Sequence, residues 1–173
     1  MKRRTMIALL ALAPLAACVV NLSFDMEKQF ELTSTQAGAI TQTQTVNLAD
    51  YKAIADHKSN IKSLDLDSVD LTVTTVNSGN TATAVTGTLV LRASTAPADG
   101  TQDVLVGALK NFPLSKGSTI KIPGTPQLDA FLLSEVQGTG TFSAILSGTV
   151  DGVTNIVVDV DFLASLGYDS GIF

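Results

Sequence analysis

Apolar and polar residues alternate with a period of two along much of this chain, which predicts strands with one buried and one wet face. The first clear run sets Phe24, Met26, Phe30 and Leu32 against Asp25, Glu27, Gln29 and Glu31. Residues 41–47, TQTQTVN, are polar and Thr-rich and suit an edge strand. Over 61–76 the phase changes: Leu64 and Leu66 oppose Asp65 and Asp67, but beyond Ser68 the apolar set is Val69, Leu71 and Val73. A one-residue shift moves every later side chain to the other face, so a bulge is expected near Ser68. Asn77-Ser78-Gly79-Asn80 then supplies turn chemistry. The next strand sets Val85, Gly87, Leu89 and Leu91 against Thr86, Thr88, Val90 and Arg92, which predicts a hairpin. Residues 139–150 and 154–163 flank Asp151-Gly152 in a similar arrangement. Phe142 and Ile145 differ in parity, so an irregularity is expected between them.

Two segments read as helices. Thr125 is placed as an N-cap before Pro126; Leu128, Phe131 and Leu132 form the apolar stripe, and Gly138 is a stop. The second spans 49–58, with Asp50 as cap and Tyr51, Ile54 and Ala55 on one face. Residues 102–112, QDVLVGALKNF, fit either type, and the β-branched content with the following proline favours a strand. The fold class is therefore mainly β, an antiparallel β-sandwich with about two short helices over its ends or edges. Two strands, a helix and a hairpin fall within 29–92, and the same order recurs over 102–164.

The N-terminus follows a different logic. Lys2, Arg3 and Arg4 precede an apolar run, Met6 to Leu15, too short to span a bilayer but suited to a signal peptide. The run ends in Leu15-Ala16-Ala17-Cys18, which resembles the lipobox of bacterial lipoproteins. That resemblance implies cleavage between Ala17 and Cys18 and a diacylglyceryl group on the Cys18 sulfur, making the membrane a partner through the lipid. It is also the simplest reason for the chain's single cysteine. Several acyl chains on one residue make a stable anchor. The organisation expected is a removed leader at 1–17, a lipidated cysteine and short tether at 18–23, and one domain at 24–173. Such a tether reaches roughly 17 Å at ~3.3–3.6 Å per residue. Val19, rather than Asp, follows the cysteine, which by the same resemblance points to the outer membrane of a Gram-negative envelope.

Charge and chemistry narrow the function further. The chain of 173 residues holds 11 basic and 16 acidic side chains. Without the leader, 8 basic residues face 16 acidic ones, a net charge of −8, and Arg92 is the one remaining arginine. Nucleic acid and anionic headgroups need clustered cations, so neither is an electrostatic partner. His57, the single histidine, lies in the polar stretch ADHKSN and reads as a solvated residue near a helix end. One histidine and one lipidated cysteine cannot build a zinc site, and no G-x-S-x-G elbow offers His57 a serine. Ser59-Asn60-Ile61-Lys62 matches S-x-x-K without the companion elements of that enzyme class, and Ser115-Lys116 is less specific still.

Paired carboxylates remain: Asp65 and Asp67 (with Asp70 nearby), and Asp159 and Asp161, each pair on one strand face, are the candidate calcium ligands. The alternative for them is a solvated outer face. With no Trp and only Tyr51 and Tyr168, sugar-stacking platforms are scarce. The chain ends in Phe173, as outer-membrane barrels often do, but the sandwich patterning argues against a barrel. No cofactor is expected. The leading expectation is a non-enzymatic module that binds an envelope protein partner. The alternatives are a carrier of lipid or another hydrophobic ligand and, less favoured, a small hydrolase.

Overall fold

The structure is a computed structural model and describes residues 19–170. The expected cleavage and lipidation site, Ala17-Cys18, and the terminal Phe173 lie outside the described residues. Eight strands form: β1 (Val19–Ser34), β2 (Gly38–Asn47), β3 (Ile61–Val76), β4 (Ala84–Ala93), β5 (Val104–Pro113), β6 (Thr119–Pro123), β7 (Thr141–Val150) and β8 (Thr154–Asp169). They pair antiparallel in two four-stranded sheets, ordered β1-β8-β3-β6 and β2-β7-β4-β5. The expected antiparallel β-sandwich is the fold observed. Among the described strands only β4 and β5 are consecutive in one sheet; every other connection crosses between sheets. Eight strands wound in this way form a jelly roll. The recurring element order is present too: each half runs two strands, a helical segment and two strands.

The crossings correct two expectations. The strands flanking Asn77–Asn80 and those flanking Asp151-Gly152 do not form hairpins; each pair splits between the sheets. The reason lies in the inner faces. Phe30, Leu32, Leu71, Val73, Val158 and Val160 of one sheet must meet Val46, Leu89, Leu91 and Leu146 of the other, all buried. A local turn that kept both strands in one sheet would leave one of these faces wet.

Strand parity itself is borne out. The register of β3 on β8 shifts between Leu66 and Ser68, leaving Asp67 as the extra residue of the expected bulge. Residues 102–112 become β5. The irregularity expected in β7 is absent: its registers with β2 and β4 run unbroken. Ile145 simply faces outward, level with Thr43 and Val90, and is still only 7% exposed.

The two sheets differ in length. β1, β3 and β8 each hold 16 residues, whereas β2, β4, β5 and β7 hold 10. Phe142, near the start of β7, meets Phe162 of β8 edge-on at 6.4 Å. The shorter sheet therefore ends about level with Phe162, and residues 163–169 project beyond it, about 20 Å at ~3.3 Å per residue.

Helical segments fill the missing layer. Helix α2 (Pro126–Gln137) starts as expected, with the Thr125 hydroxyl accepting the Leu128 N–H at 3.3 Å, and ends at Gly138. It buries Leu128, Leu132 and Val136. Where β6 ends, Asp129 of α2 takes its place beside β3, accepting the Leu66 N–H at 2.8 Å. The other segment departs from a single helix over 49–58. It breaks into a 3₁₀ turn (Leu48–Asp50), one helical turn α1 (Lys52–Ala55) and a second 3₁₀ turn (Lys58–Asn60). Its cap is Asn47 rather than Asp50, and Tyr51 stays extended between the first two turns. Burial of Leu48 and Ile54 against the sheet sets this path.

The chain start also differs from expectation. Residues 19–23, assigned to a tether, are the first residues of β1, paired with residues 165–169 of β8.

Candidate functional site

The expected acidic residues fall on the outer face of the longer sheet, and the register regroups them. Asp161 stands between Glu27 and Asp70 in one cross-strand row, with Asp159 and Asp25 close by along the strands. Asp65 pairs instead with Ser165, and Asp67 sits in the bulge, so the structure does not bring Asp65 and Asp67 to Asp159 and Asp161. Among the described residues, no three His, Cys, Asp or Glu side chains group as a metal site would need. The calcium expectation therefore gains no site.

Burial, and then the charges of Glu27, Asp159, Asp25 and Asp70, push the Asp161 carboxyl above its ordinary range. Lys121 lies 3.9 Å from Asp70 and offsets part of this charge. A raised carboxyl pKa means that ionisation costs the folded state more than the unfolded one. The strain is absent at low pH and grows as pH rises through that pKa. Asp161→Asn is expected to stabilise the neutral-pH fold by about 0.5 kcal/mol, the scale of a like-charge cross-strand pair. Urea melts at pH 7 should show the gain, and melts at acidic pH should show it shrinking.

The single residues with catalytic side-chain chemistry make structural contacts. His57 is not simply solvated: it is half-buried, its ring stacked on Tyr168 of β8 at 3.7 Å and 18°. Ser59 Oγ donates to Asn60 Oδ1 at 3.4 Å, and Lys62 lies exposed on β3. Ser115 and Ser118 share a hydroxyl contact at 2.8 Å. Tyr51 lies under the Lys28 ammonium, 5.8 Å from the ring centre.

An open concavity lies at the end of the sandwich away from the helices. It opens between three turns and measures about 570 Å³. Thr33, Ser34 and Thr35 line it from the β1–β2 turn, Ser78 and Gly79 from the β3–β4 turn, and Val153, Thr154 and Asn155 from the β7–β8 turn. The lining carries hydroxyls and amides and no ionised group.

A hydrogen-bonded latch fixes two of these turns together. The Asp151 carboxylate accepts the Thr83 N–H at 2.7 Å, the Ala84 N–H at 3.2 Å and the Thr83 hydroxyl. Asn80 Oδ1 accepts the Asn155 N–H at 3.0 Å, and Asn77 Nδ2 donates to Asn155 Oδ1 at 2.9 Å. The Thr83 hydroxyl, and then the Thr83 and Ala84 N–H groups, hold the Asp151 pKa down to about 2. For a depressed carboxyl the stabilisation is complete above the unfolded value, about 4, and is lost as pH falls towards 2. Protection factors for amide hydrogen exchange at residues 77–84, taken against the intrinsic rate at each pH, are expected to fall over that window, and Asp151→Ala should reproduce the loss of protection at neutral pH.

A second hollow sits between α1 and the C-terminal end of α2. It is more enclosed, about 180 Å³, with Leu48, Ile54, Ala55 and Val136 among its lining residues. Sequence reasoning missed both hollows. Residues from 33 to 155 meet at the first, and each of its turns alone reads as ordinary polar punctuation.

No helix among the described residues is long and apolar enough to cross a membrane. No protein-family model matches the chain, and no curated protein matches it. Solved structures of low identity do. The capsid protein of BFDV, crystallised as a decamer, has a TM-score of 0.46 and 13% identity over 86% of this chain and 99% of that one. Desmodium yellow mottle tymovirus gives a TM-score of 0.37 and 13% identity, covering 97% and 91% of the two chains. Turnip yellow mosaic virus gives 0.37 and 12%, covering 96% and 90%. These likenesses carry nothing about what this chain does.

Proposed function

We propose that this chain is a lipid-anchored, non-enzymatic module of a bacterial cell envelope. Cys18 holds it to the membrane, and its helix-free end meets a protein partner. The supporting observation is a contrast in charge between the two ends of the sandwich: an open hollow at the helix-filled end, also about 570 Å³, is lined by Asp56 and Lys58. β1 leaves the Cys18 position at the helix-filled end and runs 16 residues, about 50 Å at ~3.3 Å per residue, to the opposite end. There the hydroxyl-lined concavity and its Asp151 latch present a preformed, uncharged surface. In a Gram-negative host the Val19 position favours the outer membrane.

The test has two arms in the native host. The mature protein should carry the mass of an acylated Cys18, and Cys18→Ser should leave the membrane fraction. A photo-crosslinking residue at Ser78 or Thr35 should then capture a discrete protein, and the same residue at Gln29 on the acidic face should not. Capture from Gln29 alone would overturn the assignment of the interacting end. An unmodified Cys18 in a protein not bound to membranes would overturn the anchor.

The hydrophobic-ligand reading rests on the hollow beside α2. At about 180 Å³ it falls below the ~300 Å³ at which small-molecule sites begin. Native mass spectrometry of residues 19–173 from the envelope compartment decides it: a bound lipid-sized mass would move the assignment to a carrier.

A further inference from the structure

The inner face of the longer sheet is not covered evenly. Val20, Leu22 and Phe24 of β1 stand beside Tyr168, Leu166 and Ala164 of β8, with the same inward parity as Met26 and Phe30. On β8, Leu166 and Ala164 are 0% and 1% exposed, and on β3 Leu64 and Leu66 are 2% and 5%. On β1, Val20 and Leu22 are 39% and 37% exposed, and Phe24 is half-buried. The helical layer thus closes over β3 and β8 and stops short of the first residues of β1. Val19, on the outer face, is 53% exposed.

Three of the five large exposed apolar side chains among the described residues therefore cluster in the first four residues of β1. A wet apolar face at the start of a strand needs a reason beyond chance scatter. Charge points the same way. Residues 20–24 and their β8 partners 164–168 contain no Asp, Glu, Lys or Arg, and Asp169 stands opposite Val19. Asp25 on β1 and Asp169 on β8 bound the uncharged stretch. It is about 16 Å long at ~3.3 Å per residue.

We infer that this uncovered edge of β1 is a membrane seat, with Val19, Val20 and Leu22 resting in the headgroup–acyl boundary of the bilayer that holds Cys18. The inference rests on the anchor proposed above and goes beyond it by giving the domain a fixed attitude. Val19 directly follows Cys18, and residues 19–22 are locked in register with residues 166–169. A lipidated Cys18 therefore has no slack: its acyl chains enter the bilayer within a few ångströms of these side chains. Membrane lipid, the occupant already tied to this point, completes the layer that the helices leave open over β1. Lys62 and Asp169 then sit at headgroup level, where they stay hydrated.

The chain has no tryptophan, so one introduced indole reports without background. The full lipidated protein carrying Leu22→Trp would be reconstituted in phosphatidylethanolamine–phosphatidylglycerol vesicles with brominated acyl chains. Val76→Trp, at a 39% exposed site at the far end of β3, is the reference. Val20→Trp serves as a second probe should Leu22→Trp misfold. The expected result is quenching several-fold greater at position 22 or 20 than at 76, in protein that floats with the vesicles. Flotation with equal, weak quenching at all three positions would overturn the seat and leave the anchor standing. A blue-shifted indole at 22 without bromine quenching would mean that protein covers the strip, and would also overturn it. An unacylated Cys18, with protein that stays in the soluble fraction, would overturn the anchor and the seat with it.

Discussion

Phe142→Ala is expected to cost about 3–5 kcal/mol, the range for deleting a fully buried aromatic ring. Phe142 is 0% exposed and joins three layers. Its ring meets Phe131 of α2 edge-on at 5.6 Å and Phe162 of β8 at 6.4 Å. It stands where the shorter sheet ends and the helical layer takes over. The hole left by alanine would open at that junction, and both rings would lose an edge-to-face partner. Urea denaturation should show the midpoint falling with little change in slope, and the melting temperature should drop by about 10 °C. Phe142→Leu keeps most of the volume and should cost less than half as much. Equal losses for the two variants would mean that ring geometry, rather than volume, holds the junction.

Gly124→Ala is the second large effect. A Cβ on Gly124 would lie 1.6 Å from the Leu66 carbonyl oxygen and 2.6 Å from the carbonyl carbon. Both are backbone atoms in the strand that carries the Asp67 bulge, and they cannot swing aside. Gly124 also donates its N–H to the Asp67 carbonyl at 3.1 Å, one residue before the Thr125 cap of α2. Relief of the clash would have to move α2 away from β3 and stretch the bond from the Leu66 N–H to Asp129. A cost of about 3 kcal/mol is expected, at the top of the range for overpacking. Gly117→Ala is the control: its φ of +86° is unfavourable for alanine, but no atom lies within 4 Å of the added Cβ. It should cost about 1 kcal/mol. Equilibrium unfolding of both variants, with hydrogen exchange of the Leu66 amide, separates steric displacement from backbone strain.

These two sites mark where the sequence is legible and where it is not. Parity along β3 locates the bulge from residues alone, because Leu64 and Leu66 cannot share a face with Val69 and Leu71 without an extra residue. The Thr125-Pro126 start of α2 is equally local: cap, proline and apolar stripe lie within one helix. Pairing is not local. Asn77–Asn80 carries turn chemistry that suits a hairpin or a crossing between sheets, and only the inner faces of strands distant in sequence decide between them. Ile145 misleads for a related reason. An apolar residue on an outer face breaks the alternation without breaking the strand, because Thr43 and Val90 flank it. The distal concavity and the uneven cover over β1 are properties of assembled layers, so no window of sequence displays either.

The place of β8 has a kinetic consequence. It is the last of the described strands, yet it lies between β1 and β3 within the longer sheet. Until residues 154–169 are available, β1 and β3 have no neighbour to join them, and the shorter sheet likewise waits for β7. Contacts this distant in sequence place folding in the slow, millisecond-to-second class of β topologies. In the lipid-anchored role proposed above, such a delay would be useful: during passage through a membrane, the two sheets could not close while the trailing strand was still on the other side.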